Sequence, residues 1–198
     1  MNDAAEAIRA GKPVILPTDT VYGLATSAYG ATATERLYKL KGRDAQQPSA
    51  LLASDLDMLF ECVPELRGRA GVIARALLPG PYTLVLPNPA RRFRWITGDN
   101  PYTIGVRVPE LPEEADRILS EVGSVVATSA NLPGGQEPRR IADIPAAILE
   151  QVAAVVDAGE LPGVPSTVID FSGAEPRVLR EGAASAAEAI ERVSAALE

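Results

Sequence analysis

The segment VILPTDTVYGL, Val14 to Leu24, runs an apolar stretch straight into a corner that carries Thr18, Asp19 and Thr20. Hydroxyls and a carboxylate gathered where a buried strand surfaces are what a ligand cleft needs, although the same residues suit a plain turn in which Pro17 presets φ and Asp19 bonds local backbone. In YKLKGRD, Lys41 and Arg43 flank one glycine. An extended backbone there points both the same way, roughly 7 Å apart, exposed at a cleft. Two such cations suit an anion; the alternative is a solvated basic turn at the carboxyl end of a helix. Arg107 lies on the polar face of IGVRVP, with Thr103 on the same face roughly 13 Å away. Its guanidinium fork takes either a structural carboxylate or, bidentately, a substrate carboxylate. ATSANLPGG brings Thr128, Ser129 and Asn131 together at the end of an apolar strand. PSTVID leads with Ser166 and Thr167, and VLREG closes a strand on Arg180. Hydroxyl or cation clusters recurring at strand ends are harder to explain as turns than as walls of one cleft.

Composition narrows the chemistry. The chain has 198 residues, 46% of them hydrophobic, enough for one substantial core, and one domain over residues 1–198 is the expectation. It contains no histidine, which removes the usual general base near neutral pH, the Ser-His and Cys-His nucleophile pairs and the commonest metal ligand. Its one cysteine, Cys62, excludes an internal disulfide framework, and its apolar neighbours suggest a buried thiol. Whatever is catalysed must rely on positioning and fixed charge. A net charge of −7 argues against a general nucleic-acid coat or an anionic membrane surface. The amino terminus lacks a signal-like start and no segment has the apolar length of a membrane span, so a cytoplasmic protein is expected. Neither a GxGxxG after the first strand nor a phosphate-loop pattern is present, so any nucleotide is held differently.

These residues need elements to position them. Capping and periodicity predict helices over 3–10 (capped by Asp3), 31–40, 55–60 (capped by Ser54), 66–78, 113–122, 144–151 and 185–197. Strands are predicted over 13–16, 49–53, 82–86, 103–108, 124–127, 154–157, 167–170 and 177–179. In 103–108 the alternation assigns Ile104, Val106 and Val108 to the core and Thr103, Gly105 and Arg107 to the other face. Interleaved strands and helices imply an α/β fold, with the closely spaced late strands pairing antiparallel: a twisted mixed sheet with flanking helices. The polar loop 42–48 is a candidate lid, since it joins the two cations to the next strand.

Taken in order, PTDTVYGL, LYKLKGR, PGPYTLVLP, RWITG, IGVRVP, TSAN, PSTVID and LREG resemble the YrdC-type family of threonylcarbamoyl-AMP synthases across about residues 8–182. The resemblance implies a sheet around a concave cleft and a transferase, a nucleotidyltransferase that makes threonylcarbamoyl-adenylate and pyrophosphate from L-threonine, bicarbonate and ATP with Mg2+, for tRNA threonylcarbamoyl-adenosine. By it, Thr20, Arg107 and Ser166 bind threonine; Lys41, Arg43, Thr103, Ser129, Asn131 and Arg180 bind ATP, with Lys41 and Arg43 catalytic; and no protein residue binds the metal. The complex that transfers the threonylcarbamoyl group to tRNA is an implied partner, whereas the net charge does not support direct RNA binding. The chain departs from the family at Asp44, where proline is usual, at Ser49, where leucine is usual, at Glu137, where a serine often helps hold ATP, and at Leu111, where histidine is frequent. Gln47 is a substitute ATP contact. Two other readings stand beside this one: a nucleotide- or RNA-binding module on the same scaffold, which Asp44 and Glu137 support, or, as in paralogues of this fold, a related enzyme using a different carbamoyl or amino-acid substrate.

Overall fold

A computed structural model describes residues 3–198. Its helices are α1 (Asp3–Arg9), α2 (Ala31–Lys41), α3 (Leu56–Cys62), α4 (Gly68–Leu77), α5 (Glu113–Val122), α6 (Ala146–Leu149) and α7 (Ala186–Leu197). The strands are β1 (Val14–Pro17), β2 (Tyr22–Ser27), β3 (Ala50–Ala53), β4 (Tyr82–Pro87), β5 (Thr103–Arg107), β6 (Ser124–Ser129), β7 (Ala154–Val155), β8 (Thr167–Asp170) and β9 (Arg177–Arg180). They form one nine-stranded sheet in the order β7-β1-β2-β6-β3-β5-β4-β8-β9. Pairing is mixed: β3/β5, β4/β8 and β1/β7 are parallel, and the other neighbours antiparallel, the late pair β8/β9 included.

Period-two alternation sorts every strand onto two faces. Ile15, Tyr22, Leu24, Leu51, Leu84, Ile104, Val106, Val126 and Ile169 join one core with Leu37, Leu59, Ile73, Leu77, Ala189 and Val193 from α2, α3, α4 and α7. On the opposite face Val14, Leu16, Ala25, Leu52 and Val125 pack against α1 and α5 through Ala4, Ala5, Ile8, Ile118 and Leu119. The remaining residues of that second face, on β2, β6, β3, β5, β4 and β8, line a cavity instead. The site is therefore the part of a sheet face that α1 and α5 leave uncovered.

Several local features depart from the sequence expectation. Tyr22–Ser27 is a strand that the sequence does not announce, because YGLATS is buried on nearly every residue and lacks alternation. Lys41 ends α2 rather than starting an extended segment, and Gly42, at φ +67°, turns the chain back with the Arg43 amide donating to the Tyr38 carbonyl (2.9 Å). Asp55, not Ser54, caps α3, accepting from the Met58 amide at 2.7 Å. The expected helix 144–151 is a 3-10 turn (Ile141–Asp143) followed by the short α6, with Pro145 at the break. Cys62 is half-buried rather than buried. The capping role expected of Asp3 lies outside the described side chains.

Two glycines separate backbone constraint from cavity space. A Cβ on Gly182 would lie 2.2 Å from the Pro165 carbonyl oxygen, whereas on Gly105 it would meet ordinary contacts at 3.6 Å or more. Gly182→Ala is expected to cost about 1–3 kcal/mol and lower the melting temperature by roughly 3–10 °C. Gly105→Ala should leave it within about 2 °C in the same thermal-melt assay. Equal losses would mean that the floor at Gly105 is as tightly constrained as the Gly182 turn.

Candidate functional site

The cavity has a volume of about 290 Å3. Its floor is built from small side chains aligned in register: Gly23 on β2 faces Ser129, Ala127 on β6 pairs with Ala50 on β3, and Ala50 pairs with Gly105 on β5. Larger residues at these positions would fill the space by which a ligand approaches the sheet. Polar groups stand around this floor on three sides.

On the first side, the corner between β1 and β2 is held by a hydroxyl network. Thr18 Oγ1 donates to the Val21 carbonyl (2.8 Å), accepts from the Thr20 and Val21 amides and lies 2.9 Å from Thr20 Oγ1. The Arg107 guanidinium reaches this corner from β5, donating to Asp19 Oδ1 and to Thr20 Oγ1 (2.8 Å). Of the two partners open in the sequence, a protein carboxylate is thus present. Burial pushes the Asp19 carboxyl up and pulls Arg107 down, each opposed by the other's charge. Arg107 lines the cavity, and its Nε is buried without a hydrogen-bond partner.

On the second side stands Lys41, which is 4% exposed and so not the solvent-facing group expected from sequence. Its ammonium donates to the Ser129 carbonyl (2.5 Å) and to Asn131 Oδ1 (2.6 Å), with Ser129 Oγ at 3.4 Å. Ser129 Oγ in turn donates to Asn131 Oδ1 (2.7 Å), and the Asn131 amide donates to the Gly135 carbonyl (2.7 Å). Burial brings the Lys41 pKa down to about 8, with the nearby Glu137 carboxylate opposing the shift. Lys41 thereby organises the wall rather than forming its surface; Arg43, half-buried, lines the cavity itself. Arg43 donates to the Pro48 and Gln47 carbonyls and to Thr128 Oγ1 (3.4 Å), tying the 42–48 loop to β6. Glu137 and Ser49 complete this side.

On the third side Arg180 donates through Nε and Nη2 to the Ser166 carbonyl (3.0 and 2.8 Å), and Nη2 reaches Ser166 Oγ at 3.2 Å. Ser166 Oγ is 2.8 Å from Thr83 Oγ1 on β4. Thr103 and Thr97 line the same space. The structure thus brings Thr20, Arg43, Thr103, Arg107, Ser129, Ser166 and Arg180 to one cavity, while Lys41 and Asn131 sit directly behind it. Sequence reasoning left out Thr83 and Thr97, although both lie in the family-like segments PGPYTLVLP and RWITG; for Thr83, on β4, a hydroxyl facing away from the core by strand alternation was the available signal, whereas Thr97 lies in a turn that carries no such pattern. The arrangement can fix a carboxylate or phosphate by cations and hydroxyls, and the described residues provide no histidine or grouped thiols for covalent or metal-cage chemistry.

The family model for Sua5, YciO and YrdC proteins, described as telomere recombination, matches residues 6–182. The chain belongs to this family. A threonylcarbamoyl-AMP synthase of Halorhodospira halophila is 35% identical over 141 residues, 71% of this chain and 73% of its own length. One of Pyrococcus abyssi is 35% identical over 180 residues, 90% of this chain. The crystal structure of P. abyssi Sua5 complexed with L-threonine superposes with a TM-score of 0.86 at 35% identity, covering 96% of this chain. This chain spans only 53% of the length of that archaeal protein.

Removing one member of the buried ion pair isolates its electrostatic role. Arg107→Ala should cost about 3–5 kcal/mol in urea unfolding, because it strands the Asp19 carboxylate. The double change Asp19→Asn with Arg107→Met should recover part of that loss. A double variant no more stable than Arg107→Ala would show that the pair's charge is not what holds the corner.

Proposed function

We propose that this chain is a threonylcarbamoyl-AMP synthase, a nucleotidyltransferase that joins L-threonine, bicarbonate and ATP and releases pyrophosphate. The observation that carries this reading is one cavity with a hydroxyl-and-guanidinium corner at Thr20 and Arg107 facing a cationic wall at Arg43 and Lys41. The related P. abyssi Sua5, which forms a complex with L-threonine, supports it. In this reading the Arg107 guanidinium, oriented by Asp19 and Thr20, meets the substrate carboxylate where it lines the cavity, and Ser166 stands toward the same substrate. The amine adds to bicarbonate-derived carbon dioxide and loses a proton, giving a carbamate; a carbamate oxygen then forms a bond to the α-phosphorus as the bond to pyrophosphate breaks.

The protein's part is to orient two anionic reactants and offset their charge. Arg43 does so directly, and Lys41 keeps Ser129 and Asn131 fixed beside the nucleotide, with Thr103 and Arg180 bordering it. Magnesium, when bound with ATP, supplies charge neutralisation of the triphosphate. A cavity whose cations are preset by protein hydrogen bonds needs no nucleophile or base from the chain, consistent with the absence of histidine. The product is an activated group for transfer to adenosine in tRNA, and the transferring complex is the partner this activity requires.

Pyrophosphate release from ATP in the presence of magnesium and bicarbonate should depend on L-threonine, with serine as the control; release that ignores the amino acid would reject the assignment. Arg107→Lys, which retains charge but loses the fork, should raise the threonine KM by roughly tenfold while changing the ATP KM by less than about threefold. Arg43→Ala should reduce turnover by about tenfold or more with the fold intact. The depressed Lys41 pKa adds a pH signature. In the unfolded chain lysine stays protonated up to about 10.5, so between about 8 and 10.5 the folded state holds fewer protons, and stability rises with pH. Nucleotide affinity should move the other way, falling by up to roughly tenfold from pH 7 to 9 as the ammonium is lost, and Lys41→Arg should flatten that limb. A pH-independent affinity in the wild type would remove Lys41 charge from the binding account.

A further inference from the structure

Among the described residues of the cavity, Glu137 is the group whose chemistry runs against the rest of the wall. Its Oε2 is buried and has no hydrogen-bond partner. The loop that carries it is anchored on both sides: Asn131 ties the preceding turn to Lys41 and to the Gly135 carbonyl, and the Pro138 carbonyl accepts from the amide of fully buried Tyr22 (3.0 Å). The following arginines are engaged elsewhere, Arg139 and Arg140 both pairing with Glu160. Nor do the cations beside it satisfy the carboxylate. The hydrogen bonds of the Lys41 ammonium go to Ser129 and Asn131, and those of Arg43 to Gln47, Pro48 and Thr128.

A buried carboxylate oxygen without a donor is costly and calls for a ligand that supplies one. Phosphate oxygens cannot, since they are acceptors and like-charged; set beside Glu137 they would repel it. A divalent cation reverses the sign of that contact. Magnesium is bound through one or two carboxylates together with substrate phosphates, rather than in an all-protein cage. The described residues match that pattern, with no group of three or more His, Cys, Asp or Glu able to hold a metal alone. We infer that the Glu137 carboxylate is the protein ligand of the magnesium that arrives with ATP, and that it makes this cavity select metal-bound over metal-free nucleotide. The inference rests on the reading of the cavity as an ATP site. It also gives the carboxylate that stands in place of the family's usual serine a positive role.

The test is a set of titrations of wild type, Glu137→Gln and Glu137→Ser with ATP, once with magnesium and once with EDTA, and separately with L-threonine. Glu137→Gln keeps the side-chain shape, and the Oε2 it replaces has no hydrogen bond to lose, so the melting temperature should not fall. Wild type should bind magnesium-ATP about tenfold or more tightly than metal-free ATP. Both variants should shrink that ratio to about threefold or less, by weakening metal-bound ATP and tightening the metal-free form, with threonine affinity within about twofold of wild type. An unchanged ratio in variants that still bind ATP would overturn the metal assignment and leave the synthase reading standing. Loss of threonine affinity instead would overturn it in favour of a carboxylate that holds the substrate ammonium. Failure of the wild type to bind ATP in either condition would overturn the nucleotide reading, and this inference with it.

Discussion

The contact between Arg107 and the Asp19–Thr20 corner closes the site across the sheet. Arg107 ends β5 and the corner precedes β2, yet β6 and β3 lie between those two strands in the sheet. In a flat sheet, strands so placed would stand roughly 14 Å apart, beyond a single hydrogen-bonded side-chain contact of ordinary reach. The sheet's twist and the length of the guanidinium arm close that span. The result is a buried chord along one edge of the cavity. A buried ion pair of this kind contributes little net stability, since desolvation offsets attraction, but once formed it fixes geometry because either partner alone is strongly disfavoured there. The corner hydroxyls of Thr18 and Thr20 are oriented by the same contact.

The cavity itself follows from what the helices leave open. α1 and α5 cover the β1, β2 and β6 portion of one sheet face, and the small residues Gly23, Ala50, Gly105 and Ala127 keep the neighbouring portion low. Opposite this floor, the fully buried core beneath makes the strands rigid, so the polar groups at their ends are held on a fixed frame. Catalysis by positioning requires such a frame, because an error of an ångström in orientation costs rate directly.

Charge is distributed to the same end. The chain is acidic overall, with 26 acidic against 19 basic residues, yet Lys41, Arg43, Arg107 and Arg180 converge on or just behind the cavity. Many other arginines are spent on surface pairs with glutamate, as Arg92 is with Glu65 and Arg139 with Glu160. An anionic ligand therefore meets its attraction inside the cleft rather than on the outer surface. Lys41 illustrates the cost of that arrangement: burial lowers its proton affinity, and three acceptors from β6 and its following turn hold it where charge is needed.

Much of this was legible in the chain. Clean alternation in Thr103–Arg107 placed Arg107 and Thr103 on the face away from the core, apolar periodicity placed most helices and strands, and the ordered motifs pointed to the family and its chemistry. The strand Tyr22–Ser27 was not legible, because a segment buried on both faces carries no alternation to read. Nor was the burial of Lys41, since that depends on acceptors 88 and 90 residues further along. The sequence by itself determined which side chains are available and which face of each strand they occupy, through local periodicity and turn chemistry. Only the tertiary structure decided that Asp19 would meet Arg107, that Lys41 would lie behind the wall and that Glu137 would face the cavity unpaired. Those outcomes depend on the order and twist of strands distant in the chain, which no local pattern encodes.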